Sequence, residues 1–253
     1  MTVATDLLPR VRLQQSQRHS RIAGRQVWSA GSFQSDGAGY RQSPLWVPES
    51  YAALGRTRME RKELRRAEGI TRAHYSETAD HSLTVVSLAR LIGLVMGLDS
   101  DAQRRVELGA LGHDFGKWAV RAQVLAKPGI RTDAEFEEIQ EHPEAGPILV
   151  DLCDLPVLEE AKPFMVGHHV YPDGSGYPKM KFQEIGPEVP IATMADTAAV
   201  VHFGRIYQEH PPLSLPQVVE RLRPHRGTQF VPEVFDAFEE GVSSTRKRLL
   251  LTG

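Results

Sequence analysis

The apolar residues of segment 77–96, mainly Leu, Val, Ile and Ala, occupy most of the helical wheel rather than one stripe. This predicts a central helix buried on nearly every side, with Gly97 as its stop. Asp99 or Ser100 is placed to cap the next helix, which runs through Val106 and Leu108 to His113-Asp114. Thr132 and Glu135 match a capping box that opens a helix ending near Pro143. Further helical stretches are expected over 144–152, 156–169, 188–203, 215–222 and 232–250. Upstream, Thr57 to Glu68 is charged and helix-prone, and Gly69 is the expected stop. Period-2 alternation is scarce, leaving room for a short hairpin near 171–186. The expected fold class is therefore all-α.

Residues 1–50 break this pattern. Apolar positions are sparse, and Gly31 to Pro44 is rich in Gly, Ser and Gln. The expectation is a weakly ordered basic leader (1–50), a helical lead-in (51–71) and a functional domain (72–253). Trp28, Trp46 and Tyr51 are candidates to dock parts of the leader onto the body.

Charge sharpens this division. Net charge over 253 residues is only −2, but residues 1–76 hold 13 Lys+Arg against 6 Asp+Glu, and the remainder 17 against 26. The arginines of the front are scattered, which reads as a solvated segment rather than an anion-binding block. The acidic body argues against a nucleic-acid polymer as partner. Cys153 is the only cysteine, so no intrachain disulfide exists and a reducing, cytoplasmic setting is expected. No stretch has the length and hydropathy of a membrane span.

The chemistry lies in His81, the doublet His113-Asp114, His142, the doublet His168-His169, and Asp196. Neutral imidazoles and carboxylates suit divalent iron and manganese, and a carboxylate can bridge two ions. Five separated stretches supplying such groups predict a multinuclear metal centre assembled between helices. Paired metals are a standard means of attacking phosphodiesters with water. Glu77 and His81, four apart, share a helix face. The members of each doublet diverge on a regular helix, so both can face metals only at a helix end or distortion. Taken singly, each histidine reads equally as a hydrogen-bonded core residue; the ordered set is what points to metal. The turn Asp173-Gly174-Ser175-Gly176-Tyr177-Pro178 follows the second doublet, and its glycines permit positive φ and close backbone approach.

The order Glu77-x-x-x-His81, His113-Asp114-x-Gly116-Lys117, His142-Pro143, His168-His169-x-x-x-Asp173-Gly174-Ser175-Gly176-Tyr177-Pro178 and Ala195-Asp196 resembles the HD-GYP subgroup of the HD phosphohydrolase superfamily. Lys127-Pro128-Gly129, Arg205-x-Tyr207, and Gly227-Thr228-Gln229-Phe230 with Pro232 extend the likeness to about residues 72–240. The resemblance implies an HD-domain helical bundle with a short irregular or hairpin GYP loop. It implies a bacterial metal-dependent phosphodiesterase acting on a cyclic dinucleotide, chiefly cyclic di-GMP, giving linear dinucleotide or GMP. Two or three iron or manganese ions would be held by His81, His113, Asp114, His142, His168, His169 and Asp196, with Asp114 as the bridge and Glu77 supporting a third ion. Lys117 is expected to reach the phosphate or the leaving oxygen. Arg205 reads equally as a phosphate clamp or a structural ion-pair partner. Gly176 and Tyr177 belong to a recognition turn, where Tyr177 stacks on a base or hydrogen-bonds through its hydroxyl. Another signalling protein docking on that turn is a further expected partner.

Three departures from the family pattern fall near the expected substrate pocket: Val170-Tyr171-Pro172, Ala199 where a polar residue is usual, and His202-Phe203-Gly204. They leave the ligand set intact but bear on the choice of substrate. Two other readings therefore stand beside the first. One is an HD phosphohydrolase for another nucleotide. The other is a sensor or scaffold that binds a cyclic dinucleotide with little or no catalysis.

Overall fold

The computed structural model describes residues 48–203 and 212–252. The leader up to residue 47, with Trp28 and Trp46, lies outside the described residues, as do Arg205 and Tyr207. Among the described residues there is no strand, only an isolated bridge between Arg226 and Phe230. The all-α expectation holds.

The α-helices are α1 (Arg58–His74), α2 (Ser76–Val95), α3 (Ser100–Gly112), α4 (Ala122–Leu125), α5 (Asp133–Gln140), α6 (His142–Leu152), α7 (Lys162–Gly167), α8 (Val189–Phe203), α9 (Leu215–Leu222) and α10 (Pro232–Thr252). Helix α2 is the centre, packed on by α1, α3, α8 and α10. Its Val85, Val86, Leu88, Ala89 and Ile92 are fully buried, as its all-round apolar wheel requires. It stops as expected before Gly97, whose φ is 72°. Asp99 is the cap of α3, its carboxylate accepting from the Asp101 and Ala102 amides. Thr132 and Glu135 form the capping box of α5. The core gathers the inner faces of these helices, with Phe164, Phe235 and Phe238 deep within it.

Three expectations need correction. Gly69 does not end α1, which continues to His74. Buried Leu64, Ala67 and Thr71 fall on one helical face, and packing along that stripe outweighs the cost of about 1 kcal/mol for an interior glycine. The single helix expected over 156–169 is a 3-10 turn, Pro156–Ala161, followed by α7. Pro163 sits in the first turn of α7 and has no N–H to bond back into an α-helical turn before it. The hairpin near 171–186 is absent; the segment is irregular, with one 3-10 turn at Phe182–Glu184. Local side-chain bonds replace the ladder: Asp173 accepts from the Ser175 N–H and hydroxyl, and Lys179 donates to the Gly174 and Gly176 carbonyls.

Leu88 lies at the middle of the central helix with no exposed surface. Leu88→Ala is expected to destabilise the fold by about 2–5 kcal/mol, through lost transfer energy and a cavity. Urea denaturation followed by circular dichroism measures it, and a loss below about 1 kcal/mol would contradict the packing described.

Candidate metal centre

Each doublet sits where a helix ends. His113 is the C-cap of α3, and Asp114 leaves helical geometry with φ −96° and ψ 6°. His168 is the C-cap of α7, with His169 just beyond it. This change of backbone direction turns both members of each pair inward. His81 projects from α2, His142 opens α6 and Asp196 lies within α8. All seven groups are buried, His113, His142 and His168 completely.

The structure brings the seven together around the Asp114 carboxylate. Its Oδ2 lies 3.8 Å from His81 Nε2 and 3.3 Å from His113 Nε2. Its Oδ1 lies 3.4 Å from His142 Nε2 and 3.9 Å from His168 Nε2. Asp196 Oδ1 joins the first side, 2.9 Å from His81 Nε2 and 3.8 Å from His113 Nε2. His169 joins the second, its ligand atom within 4.8 Å of those of His142 and His168. The carboxylate thus faces one donor set with each oxygen.

Tautomers follow from the backbone. Nδ1 of His113, His142 and His168 lies 2.7, 2.7 and 2.9 Å from the carbonyls of Ala110, Ile139 and Phe164. A carbonyl only accepts, so each Nδ1 carries the proton, and the neutral ring presents its Nε2 lone pair to the centre. His142 Nε2 and His168 Nε2 stand 3.2 Å apart; two lone pairs do not face each other at that distance without a cation or proton between them. The Nε2 atoms of His113 and His169 are buried without a hydrogen-bond partner. Orphaned acceptors of this kind fit a divalent ion.

Electrostatics agree for the histidines on the Oδ1 side of Asp114. Burial pushes His142 down to about 3 and His169 to about 4, and holds His168 well below the usual range. These rings are neutral at physiological pH, the form a metal ion would require of them. Burial alone would raise Asp114, but His113 and Lys117 hold it well below the carboxylate range. Burial is likewise outweighed at Asp196, mainly by the hydrogen bond from His81. At His113 burial is outweighed by Asp114, and the ring is raised.

Two glycines make the centre possible. A Cβ at Gly116 would overlap the His142 carbonyl oxygen, and one at Gly176 would overlap that of His169. Gly176 therefore serves close approach, while the positive φ expected in the turn is at Gly174, 76°. The Tyr177 N–H donates to the His169 carbonyl at 2.9 Å. Its ring lies on His169, centroids 4.5 Å apart, and edge-on to His142 and Phe136. Lys117 Nζ pairs with Asp114 Oδ2.

Other expected residues fall elsewhere. Glu77 is not among the groups whose ligand atoms converge. It is half-buried and near Tyr75, with burial raising its carboxyl and its Oε2 lacking a hydrogen-bond partner. Ala199 is fully buried, within the core and three residues past Asp196 on α8. The His202 ring lies 2.6 Å from the Leu213 carbonyl. Sequence reasoning missed Thr193, whose hydroxyl donates to the His168 carbonyl at 2.8 Å. Its signal was there: Thr193 precedes Asp196 by three, hence on one face of α8. Phe136 was missed for want of any local signal.

A family model described as HD domain matches residues 56–197. A cyclic di-GMP phosphodiesterase of Thermotoga maritima is 31% identical over 64% of this chain and 44% of its own length. The cyclic di-GMP phosphodiesterase response regulator RpfG of Xanthomonas campestris is 29% identical over 72% of this chain and 49% of its own. A 3'3'-cGAMP-specific phosphodiesterase of Vibrio cholerae is 32% identical over 66% of this chain and 35% of its own. The chain thus spans less than half the length of these relatives. Among solved structures, the PgpH HD domain of L. monocytogenes in complex with cyclic-di-AMP aligns with a TM-score of 0.53 at 15% identity, over 73% of this chain and 96% of that one. An HDG"Y"P protein from Bdellovibrio bacteriovorus aligns at 0.51 and 13% identity, over 74% and 60%. Both show a shared fold.

Gly116→Val is expected to push the His142 backbone outward and abolish high-affinity metal uptake, with the helical content kept. Equilibrium dialysis against manganese, with circular dichroism on the same sample, measures both. Undiminished uptake would contradict the close approach.

Proposed function

The chain belongs to the HD-domain family, and on that premise we propose that it is a metal-dependent phosphodiesterase hydrolysing a cyclic dinucleotide, cyclic di-GMP first, to linear dinucleotide or GMP. The observation that carries this reading is one buried carboxylate facing a separate histidine set with each oxygen. Five imidazoles and two carboxylates suit two ions of iron or manganese. Half-buried Glu77, with an unpartnered oxygen, would support a third.

Bound divalent ions supply charge neutralisation at the phosphoryl group and an acidified water as nucleophile. His81, His113 and Asp196 would hold one ion, His142, His168 and His169 the other, and Asp114 both. The backbone carbonyls at Ala110, Ile139 and Phe164 keep each Nε2 aimed at the centre, and burial keeps the His142 and His168 rings neutral. Lys117, half-buried beside Asp114, is the cation positioned to meet the phosphate or protonate the leaving oxygen. Tyr177 covers His169 and would limit bulk water there while offering its outer face and hydroxyl to the ligand. Arg205 is proposed as a ground-state phosphate clamp on sequence grounds.

The catalytic unit is taken as residues 72–253, with the lead-in helix packed against it through Leu64 and Ala67. The exposed residues Asp173, Gly174 and Ser175 are where another signalling protein would dock. No helix among the described residues is long and apolar enough to cross a membrane, and the single, buried cysteine fits a reducing cytoplasm. A second reading keeps the chemistry and changes the dinucleotide, because the Vibrio cholerae relative is named for 3'3'-cGAMP.

Anaerobically purified protein is expected to carry roughly two or more equivalents of iron or manganese and to cleave cyclic di-GMP faster than 3'3'-cGAMP. Chelation should abolish turnover. Asp114→Ala should lose metal and activity together, whereas His142→Ala should weaken chiefly one ion. Lys117→Ala should lower kcat more than it raises KM, as expected for a group acting in the transition state. Fully metal-loaded protein that binds dinucleotides without cleaving them would overturn the enzyme reading.

A further inference from the structure

Lys117 sits in the 3-10 turn Phe115–Ala119, a short element whose own hydrogen bonds hold it weakly. Inside it the Lys117 N–H donates to the Asp114 carbonyl at 2.9 Å, and the Val120 N–H to the Lys117 carbonyl at 3.0 Å. Its placement therefore depends on what grips it from outside. One grip is the passage of Gly116 over the His142 carbonyl oxygen. The other is at the far end of the turn. His74, in the last turn of α1, brings its Nε2 to 2.7 Å from the Val120 carbonyl oxygen. A carbonyl only accepts, so Nε2 carries the proton and Nδ1 is bare, the reverse of the tautomer at His113, His142 and His168. The ring also lies against Trp118, with centroids 6.1 Å apart.

The end of α1 is fixed in turn by apolar packing. Tyr75, the residue after His74, packs on a small cluster of Val120, Val124, Leu125 and Ile139. Ile139 is the residue whose carbonyl lies 2.7 Å from His142 Nδ1. One satellite core thus joins the end of α1, the exit of the Lys117 turn and the backbone that aims a proposed ligand. His74 itself belongs to none of the sequence motifs, and its hydrogen bond and ring contact reach no proposed metal ligand.

We propose that His74 is a positioning residue for Lys117: its Nε2–H, given to the Val120 carbonyl, pins the exit of the 3-10 turn and so sets the ammonium group beside Asp114, where it meets the phosphate. The effect on turnover rests on the phosphodiesterase reading; the effect on the Lys117 turn does not. Without this donor the carbonyl of buried Val120 loses a hydrogen bond, and the turn is freed to conformations in which Lys117 is misplaced.

The test uses the full chain with three variants. His74→Leu keeps apolar bulk and removes the donor. His74→Asn carries an amide one bond too short to reach. His74→Gln places its Nε2 as many bonds from Cβ as histidine does. In the metal-free chain, nitrogen NMR reads the His74 tautomer, hydrogen exchange reads the Val120 amide, and mass spectrometry after acylation reads the labelling rate of Lys117. In the manganese-loaded chain, kinetics are read on cyclic di-GMP. Wild type is expected to carry the proton on Nε2. His74→Leu and His74→Asn are expected to speed Val120 exchange and Lys117 labelling. They lower kcat about ten-fold, the worth of one hydrogen bond, with KM and manganese content unchanged. His74→Gln behaves as wild type. In a Lys117→Ala background His74→Leu lowers kcat no further, because it acts through the ammonium group. A bare Nε2, unaltered exchange and labelling in His74→Leu and His74→Asn, or equal losses in His74→Gln and His74→Leu would overturn the proposal. So would loss of manganese along with kcat, or an additive effect in the Lys117→Ala background. A wild-type chain that cleaves no dinucleotide sinks the phosphodiesterase reading instead, while faster exchange and labelling, restored by His74→Gln, still uphold the tether.

Discussion

The Asp114 carboxylate is buried, with imidazole nitrogens facing both of its oxygens, and most of the architecture is arranged around that fact. An ionised carboxylate out of water is costly unless cations and donors surround it. Here the surroundings are Lys117 and histidines from helices far apart in the chain. Without divalent charge this donor set is crowded with facing lone pairs. With it, the same crowding becomes a ligand field.

That requirement explains features that otherwise look unrelated. Helices must end at His113 and His168 so that adjacent residues can turn inward. Glycine must stand at 116 and 176, where chain passes over the carbonyls of His142 and His169. Helix carbonyls must accept from the Nδ1 side so that Nε2 faces the centre. The largely buried α2 supplies the axis from which His81 reaches the shared carboxylate and Asp196.

Much of this was legible in the chain. Capping residues declare themselves because their chemistry is local, as in the Thr-x-x-Glu box at Thr132, and the candidate ligands stand out as an ordered set. The course of α2 was readable because burial on every side leaves no polar stripe. What escaped was set by tertiary contact. Gly69 reads as a stop by propensity, yet the buried face of Leu64, Ala67 and Thr71 carries α1 past it. The 171–186 segment has turn residues at both ends, but Asp173 and Lys179 bonds hold it irregular. The burial of Ala199, the ring contact of Phe136 and the reach of Gln229 to Thr197 depend on helices meeting, which no short window encodes.

The central claim is that one carboxylate joins two metal positions. Anomalous diffraction from crystals of manganese-loaded protein tests it most directly. Two peaks about 3.5–4 Å apart, one beside each Asp114 oxygen, are the predicted result. A single peak, or metal bound away from Asp114, would contradict it.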